Sequence, residues 1–432
     1  MFNIKEEPRQ IERALLVAVY QGADQRDECE SLLAELDSLV DTLAIRVIDR
    51  LVVKVSDRTP RYFVGSGKAE EISQRAKELE IDVIVFDNGL SPAQQRNWEA
   101  LTGIAVIDRE EVILDIFARR AQTKEARLQV DLARMEYSLP RLTRAWGHLS
   151  RQGGGLGGKG EGETQLEADR RLVRAQIDCL KSDLELVRLR RATQRKQRQR
   201  LPLPSAAIVG YTNVGKSALL KKLTGAQVLV EDKLFATLDT TTRRVILPTG
   251  QSLLLTDTVG FVRSLPHRLV EAFKATLEEA VLSEFLIHVL DASHPRVFEL
   301  YQTTMRVLGE LGADAKRMIT VLNKVDLVKD ESTLHTLRLH FPDGVFVSVR
   351  SGEGLRELLH RMGDLLADRV SRVELALPLD RTDLLSLLHR TGLVIDVEYE
   401  ESHVSVVALV SPKVYARVER YLVRRDQELQ TA

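Results

Sequence analysis

Cysteine is almost absent: Cys29 and Cys179 are the only two in 432 residues, far apart and in no CxxC pair. That excludes a disulfide framework and a zinc site of the ribbon type, and leaves each as an expected buried apolar side chain. Long hydrophobic runs are missing too. Stretches such as Ala14 to Tyr20 fall well short of the roughly 20 apolar residues that cross a bilayer, so no membrane span is expected. The opening residues Met1 to Glu7 carry neither a basic segment nor an apolar one, and a cytoplasmic protein is the expectation. Net charge is likewise nearly nil, with 62 Lys+Arg against 63 Asp+Glu. A length of 432 residues is too great for one compact domain and suits about three.

The near-neutrality hides a partition. Residues 1–114 carry 14 basic and 22 acidic side chains, residues 115–200 carry 20 and 11, and residues 201–432 carry 28 and 30. Net charge bears on partners rather than on fold, and a basic block inside a neutral chain points to an anionic surface such as nucleic acid.

Four modules follow from the patterning, in an α/β chain: an N-terminal βαβ parallel-sheet domain (1–114), an antiparallel helical hairpin of coiled-coil type (115–200), a P-loop domain (201–370) and a small α+β domain (371–432). In the first, strand-like runs at Ala14–Tyr20, Arg46–Val55, Asp82–Phe86 and Ile104–Asp108 alternate with helical stretches, the pattern of βαβ units. Its turn Tyr62-Phe63-Val64-Gly65-Ser66-Gly67-Lys68 reads either as a tight turn at a helix cap or as a phosphate contact at a helix N-terminus. One long helix is expected from about Glu110 to Leu139 and a second from about Glu163 to Arg200. Leu128, Leu132, Met135 and Leu139 form one seam, and Leu166, Val173, Ile177, Leu180, Leu184 and Val187 the other. Between them lie Pro140 and the glycine-dense stretch from Gly153 to Gly162. Arg141, Arg144, Trp146, His148, Arg151 and Lys159 give this tip charge and an aromatic without any acid before Lys159. That suits RNA, the other reading being a solvated linker. Arg188 to Arg200 adds seven basic residues, for phosphate contact or as a solvated helix end. Residues 373–422 read as βαββα.

The chemistry lies in the third module. The strand Ser205–Val209 runs into Gly210-Tyr211-Thr212-Asn213-Val214-Gly215-Lys216-Ser217 and then a helix. In such a loop backbone N–H groups wrap the β-phosphate, Lys216 neutralises the β and γ phosphates, and the Ser217 hydroxyl ligates Mg²⁺. Asn323-Lys324-Val325-Asp326 follows the strand Met318–Leu322. A carboxylate at Asp326 accepts from guanine N1 and N2 together, a donor pair adenine lacks, so the nucleotide is GTP or GDP. Asn323 would brace the base edge and the P-loop, and the Lys324 stem would lie along the base. Between these motifs stands Asp257-Thr258-Val259-Gly260, in which Asp257 can hold Mg²⁺ through water and the Gly260 N–H can sense the γ-phosphate. The loop Phe235-Ala236-Thr237-Leu238-Asp239 offers Thr237 as a second Mg²⁺ hydroxyl, with Thr240, Thr241 and Thr242 as competitors. Lys216, Thr237 and Gly260 are thus the candidate catalytic groups, and Ser217 and Thr237 the metal ligands. Ser348-Val349-Arg350, after the strand Val345–Val347, occupies the place of a guanine-backing loop. Phe261 stands where many Ras-like switches carry a water-orienting glutamine. A phenyl ring cannot do this, so slow hydrolysis accelerated by a partner is expected. Asn213 offers either a K⁺ ligand near the phosphates or a plain loop hydrogen bond.

With these motifs in order, the chain resembles the HflX family of ribosome-associated GTPases over essentially its whole length. The resemblance extends to Gly160-Glu161-Gly162-Glu163-Thr164-Gln165-Leu166-Glu167-Ala168-Asp169-Arg170-Arg171 and to Tyr62–Lys68. Glu161 replaces a family proline, Thr240 replaces the proline of LDPTTR, and Ser348-Val349-Arg350 replaces SAK or SAQ. Val349 would still offer its N–H to guanine O6. The resemblance implies a GTP hydrolase that binds the large ribosomal subunit and, in its GTP state, splits stalled or idle ribosomes under stress; a monomer is expected. A nucleotide-gated RNA-binding assembly module with incidental hydrolysis is the rival reading.

Overall fold

Strand β1 (Arg13–Tyr20) shows why the first sheet is parallel. Six successive residues, Ala14 to Val19, are buried with no alternation, which requires cover on both faces of the strand. In the computed structural model, which describes residues 11–144, 161–198, 203–225, 234–235, 238–248, 250–263, 280–366, 371–391, 393–410 and 412–423, contacts group the chain into two compact units. One comprises residues 1–189, 231–239 and 259–276, the other 190–230, 240–258 and 277–432.

In the first unit β1 pairs in parallel with β2 (Arg46–Lys54) and β3 (Val83–Phe86), and β3 with β4 (Ala105–Asp108), giving the order β2-β1-β3-β4. Leu15, Val17 and Val19 share a core with Ile72 of α2 (Ser66–Glu78) and Trp98 of α3 (Pro92–Thr102). The Trp98 indole N–H reaches the Tyr62 carbonyl at 2.8 Å, which keeps the large apolar ring from burying an unmade hydrogen bond. Helix α1 (Arg26–Thr42) packs on β1 and β2 and against α4 (Arg109–Arg120). In the Gly65 turn, Tyr62, Phe63 and Val64 are core residues, Gly65 caps α2 with extended backbone, and Lys68 pairs with Glu71 at 2.7 Å.

The helix expected from Glu110 to Leu139 is two helices. After α4, Ala121 turns to extended backbone, and α5 (Lys124–Ser138) begins afresh at Thr123, whose hydroxyl accepts from the Ala126 N–H at 3.1 Å. The side-chain cap competes with the backbone ladder, and here it wins. The expected seams do meet: Leu132 is buried with Ile177 and Leu184 of α6 (Glu161–Arg198), and Leu128, Met135, Val173 and Leu180 pack beside them. Glu136 pairs with Lys181 while Leu139 and Pro140 lie by Arg170 and Arg174, so the two helices run antiparallel. Cys29 is buried as expected, but Cys179 is exposed because it lies off the α6 seam. Arg141 also departs from its expected RNA-facing role. Its guanidinium stacks 3.6 Å over the Tyr137 ring and donates to the Gln95 side chain and the Leu90 and Tyr137 carbonyls. Trp146, His148, Arg151, Lys159 and the glycines 153–160 lie outside the described residues.

The second unit holds a six-stranded sheet in the order β10-β9-β8-β5-β7-β6. Its strands are β5 (Ser205–Gly210), β6 (Thr241–Ile246), β7 (Ser252–Asp257), β8 (Phe285–Asp291), β9 (Arg317–Asn323) and β10 (Val345–Phe346). All neighbours are parallel except β6 on β7. Helices α7 (Lys216–Thr224), α8 (Val297–Glu310) and α9 (Glu331–His340) lie between them in the chain, and α10 (Leu355–Leu365) follows β10. The carboxyl ends of β5, β7 and β9 carry the three nucleotide motifs, as a doubly wound sheet requires. The βαββα reading also holds: β11 (Ser371–Pro378), α11 (Thr382–Thr391), β12 (Leu393–Tyr399), β13 (His403–Val410) and α12 (Pro412–Val418) follow. The strands form an antiparallel sheet of order β11-β13-β12, in which Leu375, Val406 and Ala408 bury against Leu388 and Val418. No helix among the described residues is long and apolar enough to cross a membrane.

Candidate functional site

The phosphate loop depends on two glycines. At Gly210, φ is 148° and a methyl group would collide with the Val289 carbonyl of β8; at Gly215, φ is 96° and a methyl group would strike the Asn323 carboxamide. Only glycine lets the loop lie against both neighbours. Asn213 sits at φ 60°, a conformation asparagine tolerates better than most residues. Lys216, the first residue of α7, is buried and donates to the Tyr211 carbonyl at 2.6 Å. Burial pushes its ammonium down to about 8, against an opposing pull from the Asp257 carboxylate. Thr212 is buried beside it, as is Val214.

The Ser217 hydroxyl donates to Asp257 Oδ2 at 2.6 Å. A hydroxyl and a carboxylate oxygen held together at the start of α7 are the hard oxygen donors that Mg²⁺ prefers, so the residues present fit the ion. Thr258, fully buried, ties the same corner to the sheet by donating to the Ile208 carbonyl at 2.7 Å.

On the guanine side, Asn323 uses both ends of its carboxamide. Its Nδ2 donates to the Val214 carbonyl of the phosphate loop at 2.8 Å, and its Oδ1 accepts from the Val349 N–H at 3.1 Å. One side chain thus joins three motifs. The Val349 amide, expected to face guanine O6, is given to Asn323 instead, because that carboxamide oxygen lies within its reach. Lys324 takes φ 63° and its ammonium meets Asp291 Oδ2 at 2.7 Å, so the stem is held by a partner that no motif marks. Asp326 lies exposed on the short turn Val325–Leu327. Ser348 is buried, its hydroxyl accepting from the Ser351 N–H, and Arg350 is exposed.

His288, in the middle of β8, is a polar residue the sequence reading passed over. It is fully buried, stacks on Tyr301 at 5.2 Å, and neither ring nitrogen has a partner among the described residues. Burial, with Lys216 adding to it, pushes its pKa down to about 3. The ring is therefore a neutral core group.

The two segments read above as switches contribute to the first unit through the described residues 234–235, 238–239 and 259–263. Ala236 and Thr237 lie outside the described residues, but their neighbours are placed. Phe235, at φ 56° and buried, meets Phe117 of α4 edge-on with centroids 4.6 Å apart. Leu238 is buried, and the Asp239 carboxylate accepts from the Gln122 and Thr123 N–H groups at 3.0 and 3.1 Å and from the Thr123 hydroxyl at 2.5 Å. After Val259 and Gly260, Phe261 and Val262 are buried and Arg263 bonds to Glu35 at 3.0 Å and to the Ser31 carbonyl and hydroxyl. Glu35 in turn receives Arg109, which also holds Asp87. No local signal marks these anchors, whose partners stand more than a hundred residues away.

Three family models match successive stretches of the chain. The GTP-binding GTPase N-terminal model covers residues 30–118, the GTP-binding GTPase Middle Region 120–198, and the 50S ribosome-binding GTPase 205–324. A curated relative from Akkermansia muciniphila, named GTPase HflX, is 52% identical over 98% of this chain and 100% of its own length. The chain belongs to the HflX family of GTPases. Its Escherichia coli relative of the same name is 41% identical over 91% of this chain and 92% of the other. Membership makes the chain a GTP hydrolase, in keeping with the HflX-like order of P-loop, DxxG and NKxD. A solved GTP-binding protein from Sulfolobus solfataricus, in complex with GDP, is similar at 24% identity and a TM-score of 0.44 over 82% of this chain and 98% of that one.

Proposed function

We propose that this GTPase binds the large ribosomal subunit and couples its GTP/GDP cycle to splitting or rescue of stalled or idle ribosomes. The observation that carries the ribosomal part is the match of its nucleotide-binding region to a 50S ribosome-binding GTPase family. The excess of 20 basic over 11 acidic residues in 115–200 supports an rRNA-facing surface.

In this reading the Gly210–Ser217 loop wraps the β-phosphate, and the desolvated Lys216 ammonium, released from the Tyr211 carbonyl, neutralises the β and γ phosphates. Asp326 reads guanine while Asn323 holds its loop against Val214. Ser217 and Thr237, with Asp257 through water, would hold Mg²⁺, which supplies charge neutralisation at the phosphates when bound. The Gly260 N–H faces the γ-phosphate. Phe261 supplies no group to orient water, so orientation falls to backbone and partner, and large subunits should accelerate single-turnover hydrolysis.

Sedimentation of ribosomes with the protein and each nucleotide tests this reading. Co-migration and subunit separation with a non-hydrolysable GTP analogue, and less with GDP, are the expected result. Equal binding with GTP analogue, GDP and no nucleotide would sink it. Binding to RNA or immature subunits while joined ribosomes stay intact would favour the assembly-module alternative.

A further inference from the structure

Strands β8 and β9 end side by side. Asp291 and Asn323 are register partners, and the Ala292 N–H donates to the Asn323 carbonyl at 2.8 Å. Lys324, the next residue, therefore leaves the sheet beside the last residue of β8. It does so at φ 63° and ψ 32°, a left-handed conformation that is unfavourable for lysine because its Cβ crowds the backbone. Such a conformation persists only where its surroundings over-determine it. Here the Lys324 carbonyl accepts from the Leu327 N–H at 3.0 Å, the Val325 N–H donates to the Val347 carbonyl at 3.3 Å, and the ammonium meets Asp291 Oδ2 at 2.7 Å.

Asp291 is itself set in place. Its Oδ1 accepts from the Ser293 N–H at 3.0 Å and from the Ser293 hydroxyl at 2.6 Å, which leaves Oδ2 for Lys324. The Asp291 side chain is 14% exposed and that of Lys324 26%, so water screens the pair less than it screens a fully exposed one. A lysine side chain has four rotatable bonds, and ordering them opposes binding. The ion pair orders them before any nucleotide arrives. Within the motif Asn323–Asp326, Asn323 is braced by Val214 and Val349. Lys324 is braced by Asp291, which belongs to none of the nucleotide motifs.

We propose that Asp291 is a positioning residue for nucleotide binding: acting through Lys324, it holds the lysine stem where it lies along the guanine ring. The proposal rests on the reading of Asn323 to Asp326 as the guanine site. A methylene stem is indifferent to the γ-phosphate, so loss of the brace weakens GDP and a GTP analogue by one common factor. The preference for guanine, which belongs to Asp326, stays as it is.

The test is equilibrium binding of fluorescent GDP, a fluorescent non-hydrolysable GTP analogue and fluorescent xanthosine diphosphate to the full-length protein. Asp291→Asn, which keeps the shape and loses the charge, should weaken GDP and the GTP analogue alike by about fivefold. Lys324→Met keeps an unbranched stem, loses the ammonium and should weaken both by a similar factor. The double variant should bind no more weakly than either single one, because the second change has nothing left to release. Additive losses, a loss for one nucleotide alone, or wild-type affinity in Asp291→Asn overturns the positioning role. Ser293→Ala, at an exposed position, should show a smaller loss that vanishes in the Lys324→Met background; a loss that persists there overturns the role as well. This variant decides the matter if Asp291→Asn does not fold. Asp326→Asn, run in parallel, should shift preference from GDP to xanthosine diphosphate. If it does not, the guanine reading falls and the proposal with it; if it does while Asp291→Asn matches the wild type, only the positioning role falls.

Discussion

The two sides of the nucleotide machinery are held in different ways. In the second unit, the phosphate loop, Asp257 and the guanine motif are wired to one another: Lys216 to Tyr211, Ser217 to Asp257, Asn323 to Val214 and Val349. Their supports are adjacent parallel strands of one sheet. The switch segments are instead tied to helices of the first unit, by Asp239 to α5, Phe235 to α4 and Arg263 to α1. The buried polar groups differ accordingly. Around Arg109 the first unit buries an ionic cluster with Asp87 and Glu35, whereas His288 in the second unit's sheet is held neutral. The sheet-borne groups are thus braced by near neighbours in one sheet, and Phe235, Asp239 and Arg263 by helices of the first unit.

The largest expected effect comes from Glu35, the carboxylate between Arg109 and Arg263. Glu35→Ala leaves two nearly buried guanidiniums short of a partner and should cost about 3 kcal/mol in urea unfolding, with GDP affinity unchanged. If GDP binding collapses as well, the division between the two attachments is not real. Lys216→Ala acts on the other side. It should weaken GTP-analogue binding at least about a hundredfold, roughly 2.7 kcal/mol, in a fluorescence titration, while the unfolding midpoint does not fall, since the lost ammonium was desolvated.

Asp326→Asn should sharpen the same contrast at the base. It removes the double acceptor for guanine and should shift preference from GDP towards xanthosine diphosphate by about tenfold in each direction, near 1.4 kcal/mol; undiminished guanine preference would overturn the assignment. At neutral pH the smallest effect is that of His288, which grows only on acidification. Its pKa in the folded chain, about 3, lies below the ordinary 6.5, so below pH 6.5 the unfolded chain takes up a proton that the native chain refuses. Stability is then lost as pH falls from 6.5 towards 3, by up to about 1.4 kcal/mol per pH unit. His288→Leu should flatten that slope in thermal melts between pH 6.5 and 5, and a slope equal to the wild type's would assign the acid sensitivity to other groups.

Much of this was legible beforehand. The strands and helices of both sheets follow the runs and periods of their own residues, and Gly210 to Ser217, Asp257 to Gly260 and Asn323 to Asp326 announce themselves because each needs only a strand end and a few consecutive side chains. The break at Thr123 was not seen. The seam periodicity of α5 masked a capping threonine, and Arg141 read as an exposed cation although Tyr137 and Gln95 consume it. Cys179 read as core because cysteine usually is, whereas its position on α6 faces away from the seam.

The sequence by itself determined the GTPase family, the order of its three nucleotide motifs and the alternation that builds two mainly parallel sheets, since backbone sterics and side-chain periodicity act over a few residues. Only the tertiary structure decided that Asp239 caps a helix 116 positions earlier in the chain and that Arg263 pairs with a glutamate 228 positions away. Such contacts depend on where sheets and helices come to rest after collapse, and nothing in the local residue pattern encodes that distance.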